Sequence, residues 1–218
     1  MNISDLYHQY QIPEQLAQHM LRVTAVGQFV LEHWSGEYVP EEAIIITLLL
    51  HDMGNIVKFK HPFIGDMVAQ ATKWEVVQDE FIGKYGKTAH GATMKIIDEI
   101  EQYLPAEAVS FHSLLQEARP LLDEMGYGYI MEHGYSSWAT RILDFADMCV
   151  APQGIVGVDA RLDETVERYG LPIEDRTVAL RRQNQNILKQ FVKDINLEKI
   201  EQYDLEEKAK ELKKFKLY

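Results

Sequence analysis

The chain has 218 residues, enough to enclose a full hydrophobic core, and its 46% hydrophobic and 26% charged content is ordinary for a globular protein. A formal net charge of -12 argues against a general phosphate-backbone clamp, because nonspecific nucleic-acid binding relies on a basic footprint. Cys149 is the only cysteine, which excludes an intrachain disulfide and a thiolate zinc cluster and leaves His, Asp and Glu as metal ligands.

No apolar run approaches the roughly 20 residues that span a bilayer, and residues 1–15 lack the basic start and apolar centre of a signal peptide. The expectation is a cytoplasmic protein with no membrane partner.

Pro13 suits the first turn of a helix, and Leu16, His19, Val23, Val26 and Val30 follow at steps of three and four. His19 lies inside this apolar stripe, where a lone histidine is usually a satisfied core residue. Arg22 is its near neighbour on the helix surface and within reach of an anion beside it. Gly36 breaks this helix. A second begins at Pro40, with Glu41 and Glu42 in its first turn to suit the helix dipole, and should end near Gly54.

The second helix carries AIIITLLLHDMGN, residues 43–55. A segment apolar on all faces belongs in the middle of a domain. His51 and Asp52 close that run, and an uncompensated carboxylate there would cost roughly several kcal/mol. Imidazole and carboxylate together suit a divalent metal; the alternative is a buried His-Asp pair satisfied by backbone groups. Lys58, Lys60 and His61 follow in a connector, either a solvated loop or a phosphate-binding one.

Residues 65–85 read as a helix. Thr88 reads as the N-cap of another, in which His90, Met94 and Ile97 share an inward face until Pro105 ends it. A further helix over 105–119 carries Val109, His112 and Leu115 at approximately helical spacing. The pattern weakens between Pro120 and Ser137, where Gly126, Gly128 and Gly134 indicate a loop or short helical pieces and His133 has no assigned direction. Helical periodicity returns over 138–150, with Asp147 beside the apolar side and Asp144 nearer Arg141 and the polar face. Residues 159–169 and 175–191 read as amphipathic helices. Residues 197–218 form a charge-dense tail of mixed Lys and Glu, partly helical and solvated or docked. No alternating strand pattern appears.

The order His19, then His51-Asp52, then Asp147, on three successive apolar-faced helices, resembles the HD-domain superfamily of metal-dependent phosphohydrolases. The fragments that carry the resemblance are HMLRV at His19–Val23, LLLHDMGN at Leu48–Asn55 and FADM at Phe145–Met148, with the GIVGVDARLDETVERYG segment as a further similarity. It covers about residues 13 to 170. It implies an all-α HD-domain helical bundle over residues 1–170, with residues 171–218 as a C-terminal helical extension packed on or beside it.

The resemblance also implies that His19, His51, Asp52 and Asp147 ligate one divalent ion, with Mn, Fe, Co, Ni and Mg all compatible. His51 and Asp52 are then the catalytic pair. The implied reaction is hydrolysis of a phosphoester in a small phosphorylated, nucleotide-like substrate by a metal-activated water. Some members hold a second metal on extra histidines, and His90 and His112, which face inward by periodicity, occupy the corresponding interval, as second-metal or substrate ligands. Asn55 stands where a lysine is common in the family, so Lys58 or Lys60, with Arg22, is expected to meet phosphate.

Two other functions fit the same residues. A di-iron HD-type oxygenase requires His90 and His112 as ligands. A noncatalytic metal-binding module for sensing or interaction would use the C-terminal helices to engage a partner. A homodimer through those helices is a further expectation.

Overall fold

The computed structural model describes residues 1–58, 68–125, 130, 132–170 and 176–218. The fold is all-α. Its helices include, among the described residues, α1 (Ile3–Gln9), α2 (Glu14–Glu32), α3 (Glu41–Leu50), α4 (Val68–Tyr85), α5 (Ala89–Tyr103), α6 (Val109–Met125), α7 (Trp138–Asp147), α8 (Val158–Tyr169), α9 (Arg176–Leu188) and α10 (Leu205–Leu212). Two 3-10 segments, Met53–Lys58 and Leu197–Gln202, lie between them. No helix among the described residues is long and apolar enough to cross a membrane.

α3 occupies the middle of the molecule because its sequence leaves it no polar side. Ala43, Ile44, Ile46, Leu48, Leu49 and Leu50 are all buried, and α2, α6 and α7 pack around them. Thr47 is accommodated by donating its hydroxyl to the Ala43 carbonyl (2.7 Å), which satisfies a buried polar group within the helix. Val178, Leu188, Leu205 and Leu212 join the same hydrophobic core as α2 and α3. The C-terminal helix α10 lies on α2, where Arg22 pairs with Glu206 at 3.0 Å and Lys208 with Glu32 at 2.6 Å. At the chain ends, Ile3 N–H donates to the Phe215 carbonyl at 2.9 Å and Leu217 N–H to that of Met1 at 3.1 Å.

Three features differ from the expectation. α6 runs through Pro120 to Met125, because Leu115, Ala118, Leu121 and Leu122 are buried on both sides of the proline and packing outweighs its local cost. α3 ends at Leu50 and a 3-10 helix carries the chain past Gly54, so the turn falls immediately at His51 and Asp52. After α7 a short antiparallel ribbon pairs Val150 with Ile155 and Ala151 with Gly154; strands of two residues are too short to show alternation. The expected helix start at residues 65–67 lies outside the described residues.

The end of α3 is fixed by donors from elsewhere in the fold. A helix C-terminus leaves carbonyls without intrahelical partners. Here His51 Nδ1 meets the Leu48 carbonyl at 2.8 Å, the buried Tyr7 hydroxyl of α1 donates to that of Leu49 at 2.6 Å, and the Thr93 hydroxyl of α5 donates to that of His51 at 3.3 Å. Gly54 N–H then donates to Thr93 Oγ1 at 2.9 Å. Glycine is required at position 54, since a Cβ there would sit 2.0 Å from the Ala89 carbonyl oxygen and 2.4 Å from the Thr93 nitrogen, both backbone. Gly54→Ala is expected to destabilise the protein by about 3 kcal/mol, the upper part of the overpacking range, and to lower its melting temperature by roughly 6 to 12 °C. Thermal unfolding of the two proteins measures this; an unchanged midpoint would show that α5 can move without cost.

Candidate metal centre

α2, the end of α3 and the end of α7 bring His19, His51 and Asp147 together, with one ligand atom from each lying within 4.8 Å of the other two. His19 Nε2 is 3.1 Å from Asp147 Oδ1, and His51 Nε2 is 3.8 Å from the same oxygen. Asp52 Oδ2 reaches both imidazoles, 3.6 Å from His19 Nε2 and 3.7 Å from His51 Nε2.

Three of these four separations suit an ion better than direct hydrogen bonds. Ligands about 2.1 Å from a first-row metal stand about 3.0 Å apart at a right angle and about 3.4 Å apart at a tetrahedral one. Contacts of 3.6 to 3.8 Å are too long for hydrogen bonds, and among the described residues His51 Nε2 is a buried nitrogen with no hydrogen-bond partner. Leaving such a group unsatisfied costs about 1–3 kcal/mol, so a buried orphan at a cluster of carboxylates points to a ligand. The contact of Nδ1 with the Leu48 carbonyl places the neutral ring's proton on Nδ1 and turns the Nε2 lone pair toward the carboxylates. His19, His51 and Asp147 could therefore hold a metal ion, with Asp52 beside two of them.

The protonation of the cluster follows from the same geometry. Burial by itself lowers the His51 pKa, but the charge of Asp52 and then of Asp147, with the Leu48 carbonyl, outweighs it and the imidazole is pushed up to about 9. At 3.8 Å Asp147 acts on His51 as a charge rather than as a hydrogen-bond acceptor. Burial would raise the Asp147 carboxyl, yet His19 and His51 hold it well below the usual carboxylate range.

A cavity of about 360 Å³ opens onto the cluster. Lys58 and His90 line it, as do Leu122 and Met125 from the part of α6 beyond Pro120. Lys58 has no carboxylate partner among the described residues, whereas Lys60 lies outside them. Arg22 is not at the cavity; its Nε is taken up by Glu206 of α10.

The two extra histidines behave differently from the inward pair that was expected. His90 is 44% exposed at the cavity edge, 3.5 Å from Asp123. His112 is exposed and does not line the cavity, because the buried stripe of α6 runs through Phe111, Leu115, Ala118 and Leu122, and Val109, the presumed partner of His112, is 66% exposed. Among the described residues neither histidine joins the close group of metal-ligating atoms. His133 is also exposed, beside Glu132.

Asp144 corrects a second expectation. It is 4% exposed rather than on a polar face, accepting from Tyr135 Oη at 2.6 Å and from Arg181 Nε at 3.2 Å. Burial raises its pKa against the opposing pull of Arg181, and burial with the Asp144 charge raises that of Tyr135. Arg141, the expected partner, instead donates from Nη1 to Asn184 Oδ1 at 3.2 Å, and the Arg141 carbonyl accepts from Asn184 Nδ2 at 2.9 Å.

Arg161 and Arg181 line the cavity as well; Arg161 falls within the GIVGVDARLDETVERYG segment, but neither residue was assigned a role. The amphipathic patterns of α8 and α9 were visible, but nothing local to either helix shows that the two meet a site whose ligands come from α2, α3 and α7. In comparisons with known proteins, no family model matches the chain, and neither a curated protein nor a solved structure matches it.

Proposed function

We propose that the chain is a divalent-metal-dependent phosphohydrolase that cleaves a phosphoester of a small, nucleotide-like molecule. The observation that carries the reading is the orphaned, buried His51 Nε2, set among Asp52, Asp147 and His19 at separations an ion would fill. A divalent ion held there supplies Lewis acidity, which acidifies water and offsets charge on phosphoryl oxygens.

The chain's own residues account for the rest. Leu48 fixes the His51 tautomer, and Thr93 and Tyr7 hold the α3 terminus from which His51 and Asp52 project. Asp52 is 25% exposed and so is open to water beside the cluster. Lys58 supplies a positive charge at the cavity wall without a carboxylate to neutralise it among the described residues. The cavity falls in the size range of small-molecule sites, and Leu122 and Met125 offer an apolar wall for the organic part of the substrate. The absence of His112 from the cavity removes a ligand on which the dioxygen chemistry depended.

The test is metal analysis of the purified protein together with phosphate release from a panel of nucleotides and other phosphoesters. Asp52→Ala is expected to remain folded and to lose turnover. Wild-type turnover in that variant, or no phosphate release from any ester with any divalent metal, would overturn the reading. His90→Ala is expected to weaken turnover several-fold while keeping its metal, and His112→Ala to match the wild type in both. Steady-state kinetics and metal content of the two variants check this.

A further inference from the structure

The cavity carries a second set of polar groups in which the hydrolytic cluster has no share. Arg181 of α9 and Arg161 of α8 both line it. Arg181 is oriented by a relay. The Tyr135 hydroxyl donates to Asp144 Oδ2 and Arg181 Nε to Asp144 Oδ1, which uses both oxygens of a carboxylate that is 4% exposed. The terminal nitrogens of Arg181 have no acceptor among the described residues. Arg161 pairs with Glu164 through Nη1, while its Nε is buried and has no acceptor among the described residues.

Guanidinium groups stay charged throughout the working pH range and present planar forks of donors that match phosphate oxygens. The charge count runs the same way. Asp52, Asp144 and Asp147 balance Lys58, Arg161 and Arg181 among the lining residues, so any divalent ion at the cluster leaves the cavity positive. The placement adds distance. Asp144 and Asp147 are three residues apart on α7, with Cβ atoms about 5–6 Å apart, so Arg181 sits about one helical turn from the metal-binding cluster.

We infer that Arg161 and Arg181 form a second anion subsite, which takes another phosphoryl group of the molecule whose phosphoester lies at the His19, His51 and Asp147 cluster. The substrate class is thus a small molecule with at least two phosphoryl groups, a nucleoside polyphosphate or a bisphosphorylated metabolite. The inference rests on the phosphohydrolase reading for what happens at the cluster, but the arginine subsite binds its phosphoryl group whether or not metal is present.

The test uses the full chain in excess EDTA, with inorganic pyrophosphate as the calorimetric probe, so that metal contributes nothing to binding. The wild type is expected to bind pyrophosphate, and Arg161→Gln to bind it at least tenfold more weakly, the loss of roughly one charge-assisted hydrogen bond. Arg181→Gln alone would strand the Asp144 charge, so Asp144→Asn with Arg181→Gln keeps a neutral pair there, and circular dichroism checks its fold. That double variant is also expected to lose at least tenfold. Binding unaffected by either change, or no wild-type binding at millimolar pyrophosphate, overturns the subsite. Metal uptake after EDTA removal, measured on the wild type by mass spectrometry, separates the two ideas. Pyrophosphate binding lost in the variants of a protein that takes up no metal would leave the subsite standing and remove the hydrolase.

Discussion

Alanine at His51 is expected to abolish metal binding and phosphohydrolysis together. His51 contributes a buried nitrogen with no hydrogen-bond partner among the described residues, and its ring is already oriented by the Leu48 carbonyl. Outer partners of metal ligands are commonly worth about 10- to 100-fold in affinity, so loss of a direct ligand should exceed about 100-fold. Asp147→Asn is expected to act similarly, because its Oδ1 is the atom that both imidazoles approach. Calorimetric metal titration and phosphate-release kinetics on the folded variants measure both effects. Full metal occupancy in His51→Ala would place the ion elsewhere and sink the assignment.

The parts of this site that could be read from sequence are those whose signal is local. α3 was legible because its apolar run is continuous, and His51 and Asp52 because they interrupt that run at its end. The apolar stripes of α2 and α7 mark His19 as a core histidine as readily as a ligand and leave Asp147 merely beside the core; the resemblance in the order of the fragments singled both out, and both reach the cluster. His112 was misread because steps of three through Val109 and Leu115 imitate a face, whereas the buried stripe of α6 passes through Phe111 and Ala118. Asp144 was misread because the partner that draws it inward, Arg181, comes 37 residues later on another helix. Arg22 has the same history, since the carboxylate that occupies it is 184 residues away. Charge pairs set by tertiary packing leave no periodic trace, so Arg181 had no signature to find, and Arg161 was visible only as one residue of a quoted segment with no role attached.

Metal affinity is expected to rise with pH, about tenfold per unit, until pH reaches about 9, and then to level off. In the folded chain the Asp52 and Asp147 charges, acting against burial, hold the His51 pKa at about 9, above the ordinary 6.5 of histidine. At pH 7 the imidazole therefore carries a proton that a metal must displace, so binding releases it into solution. The same shift sets the stability of the protein kept in EDTA. A raised folded pKa contributes stability that is fully present below 6.5 and is lost as pH climbs through about 9. Asp147 acts on the acid side, its depressed pKa contributing stability above the ordinary carboxylate range that is lost as pH falls through the lower folded value. Metal binding reverses the alkaline trend, because the ion replaces the proton as the counter-charge to the two carboxylates. The gap in melting temperature between metal-loaded and EDTA-treated protein should then widen from pH 6.5 to 9. Calorimetry in buffers of different ionisation enthalpy counts the released proton, and differential scanning calorimetry follows the gap. A proton count of zero at pH 7, with an affinity flat across this range, would mean that His51 Nε2 is already unprotonated and that its carboxylate neighbours do not govern it.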